Sequence, residues 1–350
     1  MLLAILIIGV AIAIFFSVRG QIAARRVVTV EGLIGSEKEP FFDDPEVVEA
    51  LRRGGIEAVV EKAGSRQIAT SYDLTQYDFA FPAGVPAAEK MRREQEGSQS
   101  YDAFFTPMAI AAWKPIAQIL ENEGVAQDQG GYYTLNMEKL LALIEQGKRW
   151  KDLEGSAAYS VDKRVLVTST DVRKSNSAAM YLSLASFVAN DRDIVQNTSD
   201  INDVMGLMED LFLDQGYVEY SSAVPFENYL IMGMGKSPMV MIYEAQFIAA
   251  AINGQTTPDM VLMYPQPTIF SKHILISFSE GGEKLGQLLR DDPDLQRLVI
   301  KHGFRNDDLA YFQEFVNDHK LAMPTSIVNV VEPPSYEVLE EMIQRIEKQY

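Results

Sequence analysis

The chain has 350 residues, no cysteine and only three histidines. Without cysteine it can form neither disulfides nor thiolate metal sites, and it has no thiol nucleophile. His273, His302 and His319 are isolated from one another and show no metal-ligand spacing, so capping or surface roles are expected for each. No metal site and no cofactor is predicted.

Motifs of common catalytic sites are also missing. The sequence contains no Gly-x-Ser-x-Gly elbow and no complete phosphate-binding loop. The segment GMGKSP at 233–238 approaches such a loop, but it lacks the first glycine and proline follows it, so it is interpreted as a turn before a strand. An enzyme is therefore not expected.

Positive charge is scarce, because 31 Lys and Arg stand against 49 Asp and Glu and the net charge is −18. Nucleic-acid binding is not expected, since the phosphate backbone requires a basic protein face. The acidity is interpreted as a solubilising surface. An anion would have to be held locally by backbone amides and one or two cations.

One long apolar run is present, the uncharged stretch LLAILIIGVAIAIFFSV at 2–18, with Arg19, Arg25 and Arg26 after it. A membrane-spanning helix needs about 20 apolar residues, so the run is near the lower limit of a span. It is longer than a typical secretory h-region, and no convincing small-x-small cleavage site precedes Arg25. Residues 1–24 are therefore predicted to be a membrane anchor or uncleaved signal helix that carries a globular body.

Two signals disagree about the side of the membrane that holds this body. No Lys or Arg precedes the apolar run and three Arg follow it, which by the positive-inside rule keeps the body in the cytoplasm. The lack of cysteine fits an extracytoplasmic protein, and so does the resemblance described below. We expect a single-pass anchor in the cell membrane with an extracytoplasmic body, and the cytoplasmic orientation is the alternative.

The rest of the chain alternates between predicted strands and helices. Strands are expected at 27–34, 56–61 and 77–81, with helices between them, which indicates an α/β fold with a parallel, doubly wound sheet. Further strands are predicted at 108–113, 164–168, 239–243, 260–264 and 273–278. About 320 residues are too many for one small core and suit two lobes.

Three predicted strand-to-helix junctions carry small hydroxyl residues: Gly35-Ser36, Gly64-Ser65 and Ser175-Asn176-Ser177. The first amides of a helix have no intrahelical partner and favour an anion or a polar oxygen. In an open α/β sheet, ligands bind beyond the carboxyl ends of strands, where these junctions fall. Helix N-capping explains any single junction equally well. A shared cleft explains all three if the lobes face each other.

Charged residues near these junctions refine the prediction. Arg66 could bind an oxyanion through two parallel hydrogen bonds, whereas Lys38 would act as a point charge. Glu37 and Glu244 would repel an anion and instead suit an amine, a hydroxyl or a cation. A solvated surface position is the alternative for all four and is preferred for Glu37 and Lys38. Tyr243 and Glu244 end a very apolar predicted strand, where they could meet a ligand.

Four stretches carry a resemblance to a known family. They are IGSEKEPFF at 34–42, VEKAGSRQIA at 60–69 with YDFAFPAG at 77–84, VTSTDVRKSNSAAMYLSLASF at 167–187, and GKSPMVMIYEAQF at 235–247 with YPQPTIFSKH at 264–273. In this order they resemble bacterial extracellular solute-binding proteins of the type II periplasmic-binding-protein fold. The resemblance is to the ABC-importer receptors that include molybdate, sulfate and iron binders.

The resemblance implies a two-lobed fold with two doubly wound sheets, in which 27–108 and 271–350 form lobe one and 109–270 form lobe two. It implies capture of a small polar, anionic solute between the lobes and its presentation to an ABC permease. The implied ligand-binding residues are Ser36, Ser65, Arg66, Ser175, Asn176, Ser177, Tyr243 and Glu244.

The sequence departs from this family in three places. Ala178 replaces a frequent glycine, the lipid-bearing cysteine is missing, and the charged SEK segment at 36–38 differs from the serine-rich loop of oxyanion receptors. Two alternatives stay open. One is a scaffold or sensor of the same fold beside a membrane complex. The other is an enzyme that uses Tyr243 and Glu244 as acid or base.

Overall fold

A computed structural model describes residues 27–216, 219 and 221–350. The predicted anchor, residues 1–24, lies outside these residues. Within the described part of the chain, no helix is both long enough and apolar enough to cross a bilayer.

The first part of the chain follows the predicted alternation. Its elements are β1 (Val28–Ile34), α1 (Glu39–Phe42), α2 (Pro45–Arg53), β2 (Ile56–Lys62), α3 (Ser65–Ser71), β3 (Phe79–Phe81) and α4 (Val85–Glu94). The middle part comprises β4 (Gln99–Trp113), α5 (Lys114–Asn122), β5 (Ala126–Asp128), β6 (Tyr133–Asn136), α6 (Met137–Glu145), α7 (Asn176–Ala189), α8 (Thr198–Leu213), α9 (Ala223–Met232), β7 (Met239–Tyr243), α10 (Glu244–Ile252) and β8 (Met260–Gln266). The last part comprises β9 (Thr268–Ser277), α11 (Glu280–Asp291), α12 (Pro293–Lys301), α13 (Leu309–Asp318), β10 (Val330–Val331) and α14 (Tyr336–Glu347).

The long strand β4 belongs to two half-sheets. Residues 99–107 pair with β9 in the first half-sheet, which continues through β3 and β1 to β2. Residues 108–113 pair with β7 and β8 in the second half-sheet, which continues through β6 to β5. The change of partner falls at Pro107, which has no amide hydrogen to donate to a continuing ladder. The chain therefore has two packed halves joined by a continuous strand.

The direction of the strands differs between neighbours. β1 runs parallel to β2 and β3, as predicted, but β9 is antiparallel to β3 and to β4. In the second half-sheet β6 and β8 are parallel, while β4 is antiparallel to both β7 and β8. The predicted strand at 164–168 forms only isolated bridges, from Arg164 to Arg149 and from Thr168 to Val240.

The C-terminal helices divide between the two halves. Apolar residues of α11 and α12, such as Leu285 and Leu295, enter the core beneath the first half-sheet. Phe312 of α13 and Met342 of α14 instead enter the cores of the second half. The prediction that all of 271–350 belongs to lobe one differs from these contacts. The apolar faces of α13 and α14 are buried against the middle segment, and hydrophobic burial decides where a helix packs.

Candidate functional site

A cavity of about 300 Å³ lies between the two halves and is called the interlobe cavity below. Its lining from the first half comprises residues 35–37, 62–65 and 67, and its lining from the second half comprises Ser175, Asn176, Ser221, Ser222 and Tyr243. Turns from distant parts of the sequence therefore meet around one polar space.

Five of the eight predicted site residues line this cavity: Ser36, Ser65, Ser175, Asn176 and Tyr243. Arg66, Ser177 and Glu244 lie outside its lining. The structure thus brings together hydroxyl-bearing turns from both halves. Whether each of the eight residues contacts a ligand stays a prediction.

Two serines from the first half occupy different positions in the cavity wall. Ser36 begins a short 3-10 turn after β1, and its Oγ lies 3.1 Å from Oγ of Ser221 in the second half. Ser65 begins α3, and its buried Oγ accepts a hydrogen bond of 2.9 Å from the amide of Ala83. Ser65 therefore fixes the loop after β3, whereas Ser36 reaches across the cavity.

The start of α7 forms the opposite wall. Nδ2 of Asn176 donates to the carbonyl of Ala83 at 2.6 Å and lies 3.2 Å from the Tyr243 hydroxyl and 3.4 Å from the Ser271 hydroxyl. The hydroxyl of Ser177 is buried and lies 3.0 Å from the hydroxyl of Ser175. Asn176 therefore connects the halves, while Ser177 positions Ser175 from behind the wall.

Three helices of the second half begin at the cavity. Their N-cap residues are Ser175 for α7, Ser222 for α9 and Tyr243 for α10, and none of these side chains caps its own helix. The unpaired amides and the positive end of the helix dipole at such a terminus favour negative charge or a polar oxygen. The Ala223 amide of α9 and the Ala245 amide of α10 already donate to the hydroxyls of Ser221 and Thr106, so the start of α7 offers the wall's electropositive surface.

Arg66 is already bound by other residues of the chain. Its Nε and Nη2 donate to the two carboxylate oxygens of Glu340 at 2.8 and 2.6 Å, and Nη1 donates to the carbonyl of Arg173 at 2.9 Å. The two-point geometry predicted for an oxyanion is thus occupied by a carboxylate of α14. The pair ties α3 to α14, which packs on the second half.

Glu244 is also bound inside the protein. Its carboxylate is 0% exposed and accepts hydrogen bonds of 2.7 Å from both Nε and Nη2 of Arg305. The Tyr264 hydroxyl donates to the same carboxylate, and burial together with this negative charge raises the pKa of Tyr264 well above its ordinary value. This ion pair joins the start of α10 to the segment after α12.

A buried polar cluster adjoins the cavity, and the sequence reasoning missed it. It consists of Glu37, Lys38 and His273, with Nζ of Lys38 bound to the Glu37 carboxylate and 2.9 Å from Nδ1 of His273. The surface positions preferred for these residues are wrong, because Lys38 and His273 are 0% exposed and the Glu37 side chain is 7% exposed. The signal available in the sequence was the apolar run ILISF that follows His273, which indicates an interior strand.

Burial governs the charge of this cluster. It lowers the pKa of Lys38, although the neighbouring Glu37 carboxylate opposes that effect. Burial and the nearby Lys38 together hold the pKa of His273 well below its usual range, so the imidazole is neutral at physiological pH. Nε2 of His273 finds no hydrogen-bond partner among the described residues. Nor do those residues contain a group of three or more His, Asp or Glu side chains placed to hold a metal ion.

No family model matches the chain, and no curated protein matches its sequence. Solved structures do share its fold. The sulfate-binding protein SubI from Mycobacterium tuberculosis H37Rv is 14% identical with a TM-score of 0.56, over 92% of this chain and 99% of that one. A periplasmic thiamin binding protein is 12% identical with a TM-score of 0.58, over 91% and 95% of the two chains. The Atu4243-GABA receptor is 9% identical with a TM-score of 0.52, over 91% and 97%.

These likenesses concern the fold. The predicted resemblance to the type II periplasmic-binding-protein fold is confirmed, because chains of this class superpose over almost their whole length. The predicted α/β class is confirmed with it, although both half-sheets contain antiparallel pairs beside the predicted parallel ones.

Proposed function

We propose that this chain is a solute-binding protein that captures a small polar molecule in the interlobe cavity and presents it to an ABC permease. The observation that carries the proposal is the convergence of polar turns from both halves on one space of about 300 Å³. Such a space holds about ten water molecules, which suits a solute of amino-acid size.

The connections between the halves suit a hinge. β4 passes from one half-sheet to the other at 107–108, and the chain returns through the adjacent junction between β8 and β9 at 266–268. A third crossing lies between α12 and α13, where Arg305 forms a bridge to Phe105 of β4. Three neighbouring crossings allow rigid halves to rotate with little change inside either core. Solute entry and release would use this rotation.

The proposed location combines the sequence with the fold. The apolar run at 2–18 would tether the body to the cell membrane, and the body would be extracytoplasmic, where ABC-importer receptors meet their permeases. The names of the similar structures give sulfate, thiamin and GABA as their ligands, so this fold does not by itself select a ligand class. The chemistry of the cavity has to select it.

A ligand screen tests the proposal. The purified chain, stripped of bound ligand by partial unfolding and dialysis, is heated in the presence of oxyanions, carboxylates, amines, amino acids and sugars. A ligand that binds only the folded state stabilises it by mass action and so raises Tm. At a ligand concentration of a hundred times Kd, the free energy of unfolding increases by about 2.7 kcal/mol. Asn176→Ala should abolish the Tm rise, whereas Ser199→Ala, at an exposed position on α8, should retain it. The absence of stabilisation by every class would refute the proposal.

The alternative of a scaffold or sensor has one observation in its favour. Direct contacts join the two halves beside the cavity, such as Ser36 with Ser221 and Arg66 with the carbonyl of Arg173. A protein that co-purifies with the chain and binds equally well with and without added solutes would support this alternative. The carboxylate of Glu244 is bound by Arg305, so it is not available as a general acid or base.

A further inference from the structure

The interlobe cavity has a negative side formed by Glu37. One carboxylate oxygen, Oε1, binds Nζ of Lys38, and no donor of the described residues lies within hydrogen-bonding distance of the other, Oε2. The carboxylate lies against the backbone of Gly35, where a Cβ would stand 2.3 Å from Oε1 and 2.6 Å from Oε2. Gly35 thus allows the carboxylate to lie flat against the cavity wall. Because Oε1 is already paired with Lys38, Oε2 is the oxygen left for a ligand.

Lys38 pairs with Glu37 itself, and the other cationic side chains near the cavity pair with other carboxylates. Lys62 lines the cavity but pairs with Glu39 at 2.6 Å and is 50% exposed. Arg66 pairs with Glu340 outside the lining. Arg66 is therefore not placed to neutralise an anion inside the cavity, and Lys62 is half-exposed and paired with Glu39.

The opposite wall has the contrary polarity. The helix α7 starts there behind an N-cap serine that leaves its first amides uncapped, and the hydroxyls of Ser175, Ser221 and Ser222 lie beside it. The first amide of α9, that of Ala223, donates to Oγ of Ser221 at 3.3 Å. The cavity therefore presents one carboxylate and, facing it from the other half, amide and hydroxyl donors. A solute that carries both charges would satisfy both walls and draw them together.

Resting on the solute-binding function proposed above, we infer that the solute is a small zwitterion whose ammonium group binds Glu37 and whose anionic group binds the start of α7 and the serine hydroxyls beside it. Inorganic oxyanions and simple carboxylates lack the group that Glu37 requires. Simple amines lack the group that the start of α7 requires.

Isothermal titration of the chain with matched probes tests this inference. Glycine, β-alanine and 4-aminobutyrate are zwitterions of increasing length, propylamine and propionate carry one charge each, and sulfate is the inorganic oxyanion. At least one zwitterion should bind more tightly than propylamine, propionate and sulfate. Glu37→Gln should weaken that zwitterion roughly 10- to 100-fold, since a charge-assisted hydrogen bond is lost.

Two further variants isolate the effect of Glu37. The double variant Glu37→Gln/Lys38→Met removes both charges of the buried pair. Its affinity for the zwitterion should fall as much as that of Glu37→Gln, which excludes an unpaired Lys38 as the cause of the weaker binding. Glu57→Gln, on β2 in an exposed pair with Arg52, should bind like the wild type. A loss of zwitterion binding in Glu57→Gln as large as in Glu37→Gln would overturn the inference.

The remaining outcomes separate the two proposals. If sulfate, propionate or a sugar binds and no zwitterion does, or if Glu37→Gln leaves the zwitterion affinity unchanged, the inference is overturned while solute binding stands. If no probe of either screen binds, both are overturned.

Discussion

Replacing Glu244 with glutamine should lower the free energy of unfolding by about 3–5 kcal/mol, the cost of breaking a buried ion pair by removing one partner. The carboxylate is 0% exposed and its partner Arg305 is 3% exposed, so water cannot replace the lost contacts. Two of the guanidinium hydrogen bonds, to the carbonyls of Thr325 and Pro324, would survive. We therefore expect a loss near the lower end of the range.

The cost should come mainly from the cation that is left unpaired. The double variant Glu244→Leu/Arg305→Met removes both charges and should lose less stability than the sum of the two single variants, with a coupling of about 2 kcal/mol or more. Glu57→Gln breaks an exposed pair with Arg52 and should cost no more than about 1 kcal/mol.

Urea unfolding followed by tryptophan fluorescence measures these changes, because Trp113 and Trp150 both pack in the second half. A loss in Glu244→Gln no larger than that in Glu57→Gln would refute the reasoning, as would strict additivity in the double variant. If Glu244→Gln instead kept the wild-type free energy of unfolding and bound the solute more weakly, Glu244 would be a ligand-binding residue, as the sequence predicts.

Contacts between the halves give two more predictions. Gly64→Ala places a Cβ 2.2 Å from the carbonyl oxygen of Lys174 in the other half. It should therefore hold the halves apart, increase the radius of gyration measured by small-angle scattering and weaken solute binding. Gly206→Ala, whose Cβ meets no atom within 4 Å, is the control, and an equal radius of gyration for the two variants would contradict the contact between the halves. Glu340→Gln should cost about 1–3 kcal/mol at pH 7, because it removes a charged hydrogen-bond partner of Arg66. Burial raises the pKa of Glu340, but its hydrogen bonds, led by that from Arg66, lower it more, so the net pKa lies below 4.5. The pair therefore contributes its full stabilisation above pH 4.5, and this contribution is lost as the pH falls through the depressed pKa. The difference in free energy of unfolding between wild type and Glu340→Gln should shrink as the pH is lowered below 4.5. A difference that does not depend on pH would contradict this account.

Local patterns predicted the helix starts and strands around the cavity but not the partners of its charges. Ser36 and Ser65 come shortly after predicted strands, Ser175 stands at the head of an apolar helical segment, and the physics of helix termini is local, so their turns could be located from sequence. Arg66 has the same local setting, yet Glu340 binds it from 274 residues away. No periodicity or spacing encodes such a pair, because it depends on how α14 packs.

The same distinction explains the charged residues that sequence reasoning assigned to the surface. Glu37 and Lys38 lie in a polar, charged segment, for which exposure is the usual expectation. They are buried because His273, 235 residues further along, lies on the strand beneath them and supplies a polar partner. Only the pairing of β9 beside β3 and β4 brings that imidazole to the end of β1.

The sequence by itself determined the α/β alternation, the acidic surface, the absence of thiol chemistry and the polar turns after the strands, because these depend on composition and on neighbours a few residues apart. Tertiary structure decided which turns share the interlobe cavity, which charges stay available to a solute, and that α13 and α14 pack on the second half. These outcomes depend on burial and on contacts between residues more than a hundred positions apart, whose energies exist only once the two halves have packed together.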